Sequence, residues 1–194
     1  MSIILDLISS VIVAGYVMFL GLRMNMNMSA TMDSSSTNLN VQEAMVNTVG
    51  MVESDFKKIG YALTDPRDAV AVADSDRIRF RSDMNRNGTI DSVEWYVGAP
   101  LAKYTDRQVR LLYRRYNTQA PTVAAVGITS FKLKYLDQDG GVTTTLSNIS
   151  MIEITLAISS LYKVADQVNP DTLGYVTTLW RKGLLSTRNM KRHG

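Results

Sequence analysis

Residues Ile3 to Leu22, near the N-terminus, are almost wholly apolar and carry a single charge, on Asp6. A helix rises about 1.5 Å per residue, so a helix of this length spans about 30 Å, the thickness of the hydrocarbon core of a bilayer. The rest of the chain lacks a second stretch of this kind. The sequence therefore predicts a hydrophobic helix over residues 1–23 that is able to cross a membrane.

The apolar run has no basic residue before it and is longer than the run of about 7–15 residues typical of a cleaved secretory signal. We therefore expect the helix to be retained. Two orientations stay open. Arg23 follows the span and weakly favours a cytoplasmic C-terminal side, whereas removal of a short basic leader would favour the opposite orientation.

The composition argues against several classes of function. The chain has 194 residues, a formal net charge of +3, no cysteine and one histidine, His193. Thiolate metal sites, zinc sites and histidine-dependent catalytic triads therefore lack their residues. With no Gly-rich phosphate loop and no nucleophile elbow, we do not expect an enzyme. The small net charge does not favour nucleic acid as a partner. A solvated tail is the interpretation of the C-terminal basic cluster, which comprises Arg181, Lys182, Arg188, Lys191 and Arg192.

Residues 24–40 are polar, rich in Ser and Asn, and weak in helix propensity. We interpret them as a flexible linker or as a melted segment within a longer helix. From Val41 onward an apolar stripe with helical spacing predicts a second helix. Asn40 and Glu43 resemble a capping box at its start, and Gly60 is the predicted stop. The stripe comprises Met45, Val49, Val52, Phe56 and Ile59, and Asp55 lies off it.

The remainder of the chain alternates apolar and polar residues in short runs separated by turn residues, which is typical of strands. Runs at 77–81 and 93–97 flank the pair Asn87-Gly88, which predicts a hairpin. Further strands are predicted at 108–116, 131–136, 142–146, 150–158 and 175–180, with a polar loop over 163–174. A helix followed by antiparallel strands predicts an α+β fold, with residues 41–194 forming one head domain.

Several short motifs follow one another in a defined order. They are Gln42-Glu43-Ala44, Glu53 to Tyr61, Arg77 to Phe80, the Asp/Asn-rich hairpin at Asp83 to Asp91, Val93 to Val97, Gly127 to Leu136, Met151 to Ile158 and Thr187-Arg188-Asn189. This order resembles the type IV pilin and type II secretion pseudopilin superfamily, and is most similar to J-type minor pseudopilins and W-type minor pilins. The resemblance implies a pilin-like fold, with a long N-terminal helix followed by an antiparallel sheet.

The resemblance also implies a role for the N-terminus. In that family a Gly precedes a cleavage site and a Glu occupies mature position five. Here no Gly precedes the apolar run, and Asp6 becomes fifth if Met1 is removed, which Ser2 favours. Removal of Met1 implies a chain that never passes through the prepilin peptidase, whereas a mature chain that keeps Met1 has its acid one position out of register, so processing stays open. A filament-core helix is implied, in which Asp6 sets the register between subunits. Its apolar assembly contacts are Ile3, Leu5, Ile8 and Val11.

A carboxylate in an apolar span costs about 2.5–3.5 kcal/mol on insertion scales unless it is neutralised or paired. In a filament, the N-terminal ammonium of a neighbouring subunit is a suitable partner for Asp6. A misplaced neighbour would leave the acid buried and alone, so pairing would fix the axial register. The alternative is a lone acid near the headgroups that reaches water.

Residues 83–94 fit the calcium-loop pattern, in which oxygen ligands recur at alternating positions. The candidate ligands are Asp83, Asn85, Asn87, Thr89, Asp91 and Glu94. Because strands rather than helices flank this loop, Glu94 can point away from the other ligands. Two interpretations stay open. One is a weak calcium site, with a dissociation constant of about 10⁻⁴–10⁻³ M, and the other is a polar hairpin whose Asn-Gly pair makes the turn.

Two hypotheses for function follow. The first is a structural subunit of a type IV pilus-like filament or pseudopilus. Its partners would be copies of itself, related pilin-like subunits and an inner-membrane assembly machinery. It would lie in the inner membrane before assembly and then in a periplasmic pseudopilus or an extracellular filament. The second is a monomeric, single-span membrane-anchored binding module with a calcium-binding hairpin.

Overall fold

A computed structural model of the chain describes residues 2–166 and 172–186. One long helix, α1, runs from Ser2 to Phe56, and a seven-stranded antiparallel sheet follows it. The predicted α+β fold is therefore confirmed. The strands are β1 (Val70–Ala73), β2 (Arg77–Ser82), β3 (Asp91–Val97), β4 (Arg110–Tyr116), β5 (Thr122–Leu136), β6 (Met151–Ser159), β7 (Val164–Ala165), β8 (Leu173–Gly174) and β9 (Thr177–Ser186).

The described residues divide into two compact units. One contains residues 2–40, 162–166 and 172–176, and the other contains residues 41–161 and 177–186. In the first unit, the short antiparallel pair β7 and β8 accompanies the N-terminal part of α1. In the second, the C-terminal part of α1 accompanies the large sheet, whose strand order is β1-β2-β3-β4-β5-β6-β9.

Residues 24–40 are helical, so the expectation of a linker or melted segment is wrong for this structure. The capping box at Asn40 is wrong for the same reason, since both of its residues lie inside α1. The physical reason is that helix propensity is a weak bias, and the four methionines between Met24 and Met32 are themselves good helix formers. Thr31 also donates its hydroxyl to the Asn27 carbonyl within the helix (2.9 Å).

The predicted apolar stripe of the second helix forms the side of α1 that is buried in the second unit. Met45, Val52 and Phe56 are at most 4% exposed. The helix ends at Phe56, before the predicted stop. Gly60 instead takes a positive φ of 76° in the following turn, and its N–H donates to the Arg81 carbonyl at 3.0 Å. The end of the helix is thereby tied to the end of β2.

Most predicted strands are present, and the structure differs from the prediction in three places. Strand β1 was not predicted, and β5 begins at Thr122, well before the apolar alternation that marked it. The predicted strand at 142–146 is wrong. In its place Val142 makes a single bridge to Leu136, and a 3₁₀ turn follows at Leu146–Asn148. Asp137 accepts hydrogen bonds from its own turn, which ends the pairing.

A buried carboxylate joins the helix to the sheet. Asp55 is 6% exposed, although its spacing placed it off the apolar stripe. The indole Nε1 of Trp95 donates to Asp55 Oδ2 at 3.0 Å, and the Arg114 Nε donates to the same oxygen at 2.6 Å. A second Arg114 nitrogen donates to Oδ1 at 3.2 Å. This bidentate, charge-assisted contact fixes the position of α1 on β3 and β4.

We expect Asp55→Ala to lower the free energy of unfolding by about 2–3 kcal/mol, because it leaves a buried indole N–H and a half-buried guanidinium without their acceptor. Urea unfolding of the full chain in detergent, followed by tryptophan fluorescence, measures this. The matched control is Asp68→Ala, at an exposed position without an ion pair to any described residue, where we expect a change within about 0.5 kcal/mol. Equal effects of the two substitutions would contradict the assignment.

Candidate functional site

The N-terminal apolar segment is helical, and its side chains are uncovered within the described chain. All fourteen large apolar residues between Ile3 and Leu22 are between 47% and 82% exposed. By length and composition, α1 is the one helix among the described residues that is able to cross a membrane. Since the segment is apolar all round, it is able to enter a membrane or to pack among other helices.

The serine hydroxyls and the single carboxylate of this segment differ in whether the helix satisfies them. Ser9 donates its hydroxyl to the Leu5 carbonyl and Ser10 donates to the Leu7 carbonyl, each at 2.8 Å. Both hydroxyls are therefore satisfied within the helix. Asp6 differs from them, because its carboxylate has no hydrogen bond or ion pair with a described residue. An external group must neutralise it wherever water is excluded.

The structure places the predicted assembly residues on the exposed helix surface. The exposed fractions are 82% for Ile3, 62% for Leu5, 52% for Ile8 and 65% for Val11. Each is accessible to a neighbouring helix. The structure contains one chain, so their role in assembly stays a prediction.

The loop between β2 and β3 is held by its own polar side chains. Asp83 accepts hydrogen bonds from the backbone N–H groups of Asn87 (3.1 Å) and Gly88 (2.8 Å). Asn87 in turn accepts from the N–H of Thr89 at 2.8 Å. Gly88 has a φ of 83°, a conformation that glycine adopts without strain. These contacts are those of a polar hairpin that builds its turn from Asx side chains.

Glu94 is directed away from the other candidate calcium ligands. It is 2% exposed, and its Oε1 accepts a hydrogen bond from Arg77 Nε at 2.7 Å. Its other oxygen pairs with Arg115. Across the described residues, 2–166 and 172–186, no group of three or more His, Cys, Asp or Glu side chains is placed to hold a metal ion. Glu94 is therefore engaged by guanidiniums, and calcium binding by Asp83, Asn85, Asn87, Thr89 and Asp91 stays a prediction.

The second buried acid of the hairpin is anchored by residues outside it. Asp91 accepts from the Met84 N–H at 3.2 Å and from the Asn117 amide at 2.9 Å. Asn117 has a φ of 49° and also accepts from the Ser92 N–H, so it closes the turn after β4 onto β3. Burial raises the pKa of Asp91, but hydrogen bonds from Tyr116, Asn117 and Met84 outweigh this and lower it.

Several residues of these clusters were not singled out from the sequence. Arg77 and Arg115 neutralise Glu94, and Arg114 neutralises Asp55. The available signal was the alternation of β2 and the run Arg114-Arg115, which places neighbouring guanidiniums on opposite faces of one strand. Their acidic partners are distant in sequence, so the pairing could not be read from spacing.

Comparison with known proteins finds no match: no protein-family model, no curated protein and no solved structure is similar to this chain. The fold is therefore the one observation that bears on the class of protein. A long N-terminal apolar helix followed by an antiparallel sheet is compatible with a pilin-like fold.

We expect calcium to leave the melting temperature of the full chain unchanged to within about 1 °C at millimolar concentration, because Glu94 would have to leave two guanidiniums to join the loop ligands. Differential scanning calorimetry with calcium or with chelator measures this. Asn87→Ala is the matched variant, since it removes a loop ligand without touching Glu94. A calcium-dependent rise in melting temperature that Asn87→Ala abolishes would instead support calcium binding at this loop.

We expect the stability of the chain to fall in acid partly through Asp91. Because its folded pKa is lowered, its contribution is present above about pH 4, the ordinary range of an aspartate, and is lost as pH falls through the folded value. Burial, followed by the hydrogen bond to Asp91, raises the pKa of Tyr116 to about 12. Its contribution is therefore present below about pH 10 and is lost between pH 10 and about 12.

Urea unfolding of the full chain between pH 2.5 and 7 measures the acid limb. The difference in unfolding free energy between the native chain and Asp91→Asn should shrink as pH falls below about 4. Asp68→Asn, at an exposed position, is the control and should show no such trend. A difference that does not change with pH would contradict the role of Asp91.

Proposed function

We propose that this protein is a structural subunit of a type IV pilus-like filament or pseudopilus. The observation that carries the proposal is the exposed apolar segment of α1 in a chain whose second compact unit has a buried core of its own among the described residues. Burying each large apolar side chain is worth about 1.5–3 kcal/mol. Fourteen such side chains would gain on the order of 20–40 kcal/mol, which exceeds the stability of an ordinary domain.

A membrane and a bundle of identical helices both provide this burial. The position of Asp6 favours the bundle as the final state. A lipid environment offers this carboxylate no partner at depth, whereas a neighbouring subunit offers its N-terminal ammonium. Pairing then selects one axial register, because any other leaves the acid without its partner. We therefore assign Asp6 the register role and Ile3, Leu5, Ile8 and Val11 the apolar contacts.

In this proposal the chain resides in the inner membrane before assembly. It then enters a periplasmic pseudopilus or a filament on the cell surface, with copies of itself or related subunits beside it. An inner-membrane machinery would extract each copy, since moving this apolar segment out of lipid is unfavourable without new helix contacts. The role is structural, without a catalytic step.

We expect Asp6→Leu to abolish filaments while leaving the chain in the membrane, because it removes the register contact but adds apolar surface. Electron microscopy of cells and fractionation of their membranes measure the two effects. Asp33→Leu, at an exposed position in the polar part of α1, is the matched control and should leave filaments unchanged. A chain that serves only as a membrane anchor would instead tolerate Asp6→Leu.

Deletion of residues 1–22 is a second test of the proposed function. In the proposed filament subunit it releases the remaining chain from the membrane and prevents assembly. Filaments that survive this deletion would overturn the proposal, since they would have to form without the apolar helix.

A further inference from the structure

Four methionines follow the apolar segment of α1. Met24, Met26, Met28 and Met32 are 73%, 71%, 62% and 64% exposed, and all four lie within the helix. The chain contains no cysteine, so the thioethers of methionine are the side-chain sulfurs that an oxidant is able to attack. Their exposure opens these four thioethers to a water-soluble oxidant.

Three of these methionines extend a row of apolar side chains that begins in the apolar segment. Residues spaced by four form a ridge on a helix, and helices pack by placing such ridges into each other's grooves. This row, here called the apolar ridge, contains no polar residue over its whole length, and every member is at least 47% exposed. It comprises Ile8, Ile12, Tyr16, Leu20, Met24, Met28 and Met32. Its three methionines can therefore pack against another helix beyond the end of the apolar segment.

The last two ridge methionines lie on the uncovered side of α1. Within the compact unit that contains residues 2–40, Ser34 is 2% exposed and marks the covered side of the helix. At about 100° per residue, Met28 and Met32 lie at least about 120° around the helix from Ser34. Their thioethers are therefore left for a neighbour outside this unit. Met26 is off the ridge, since residues two apart do not share a helix face.

The ridge methionines begin where the apolar segment ends. Arg23 separates Leu22 from Met24, and its charged head favours the membrane surface. A helix rises about 1.5 Å per residue, so Met32 lies about 15 Å beyond Leu22 along the helix axis. That distance exceeds the thickness of one headgroup layer, about 5–8 Å. A water-soluble oxidant can therefore reach this part of α1 while Ile3 to Leu22 occupy the hydrocarbon core.

We propose that Met24, Met28 and Met32 form a reversible oxidation site that controls assembly. Hydrogen peroxide is the oxidant. A lone pair of the thioether sulfur attacks one peroxide oxygen, the O–O bond breaks, and a sulfoxide and one water form. The sulfur loses the two electrons that reduce the peroxide. A methionine sulfoxide reductase reverses the step with two electrons from a pair of thiols, which becomes a disulfide, and the oxygen leaves as water.

Oxidation changes what the apolar ridge can pack against. A thioether is apolar and adaptable, and fills irregular space between packed helices. A sulfoxide is polar and chiral, and its oxygen loses water when a neighbouring helix covers it. This inference rests on the proposed function, because that neighbour is another subunit of the filament. An oxidised chain would stay in the membrane, since the segment from Ile3 to Leu22 contains one methionine, Met18, which lipid covers.

The pattern of oxidation in the full chain is the first test. Lipid nanodiscs cover the apolar segment and leave both membrane surfaces accessible, and peptide mass spectrometry after peroxide treatment locates each added oxygen. We expect the three ridge methionines to oxidise at least about tenfold faster than Met45 and Met84, which are 4% and 9% exposed. The urea-unfolded chain is the control and should show no such difference. Equal rates in the folded chain would overturn the inference.

Glutamine imitates the polarity of the sulfoxide without an oxidant and is itself a good helix former. The triple variant Met24→Gln, Met28→Gln and Met32→Gln should abolish filaments in untreated cells while the chain stays in the membrane. Electron microscopy and membrane fractionation measure the two effects, and circular dichroism checks the fold. The matched control is Met26→Gln, in the same segment but off the ridge, which should keep its filaments. Native numbers of filaments in the triple variant would contradict the role of the ridge.

Leucine conserves apolar volume and cannot be oxidised. The triple variant Met24→Leu, Met28→Leu and Met32→Leu should keep its filaments when cells are exposed to peroxide, whereas cells with the native chain should lose theirs. Loss in both strains, or in neither, would overturn the inference. Filaments that form in untreated cells and survive peroxide refute only the oxidation site. Native cells without filaments before treatment refute the proposed function, and the control of assembly with it.

Discussion

An apolar surface that the chain does not cover by itself is the constraint on which the structure depends. The fourteen large side chains between Ile3 and Leu22 are exposed on every side of α1. A helix that is hydrophobic all round is stable only where water is absent. Helix α1 continues without an interrupting loop from Ser2 to Phe56, and its last residues contact the large sheet through Asp55 and Phe56.

A buried carboxylate held by charged donors occurs on each face of the large sheet. On the face that α1 contacts, Asp55 is held by Trp95 and Arg114. On the opposite face, Glu94 is held by Arg77 and Arg115. Burying a carboxylate is costly, and the cost is offset only when charge-assisted donors surround it. A misplaced helix or a shifted strand would leave a charge unpaired, so these acids favour a single arrangement of α1, β2, β3 and β4.

The spacing of apolar residues along the chain predicted those helices and strands that depend only on residues a few positions apart. The apolar stripe of α1 and strands β2, β3 and β6 follow from residue types a few positions apart. The helicity of residues 24–40 did not follow, because the polar composition suggested weak propensity while the chain on both sides is helical. Strand β1 was missed because Val70 to Ala73 is short and has no alternation. Its pairing with β2 supplies the order that its sequence lacks.

The candidate sites also differ in whether they depend on residues near in sequence or on residues far apart. Asp6 could be selected from the sequence, because one acid in an apolar run is recognisable without knowing its neighbours. Residues 83–94 matched a ligand pattern, but a pattern gives spacing and not direction. The pairing of Glu94 with guanidiniums from two other strands is a consequence of sheet register, which joins residues 17 positions apart in the case of Arg77. Asp55 was misplaced for a related reason: its partners lie 40 and 59 residues further along the chain.

In the proposed assembly, register means the axial position of one subunit relative to the next. A helix bundle alone fixes its subunits along the axis only weakly, since apolar side chains slide over one another at little cost. One carboxylate per helix changes this, because each step away from its partner leaves a charge in an apolar surrounding. In the proposed assembly, the apolar side chains of the helix therefore supply the strength of the contact between subunits, and the carboxylate of Asp6 supplies its axial position.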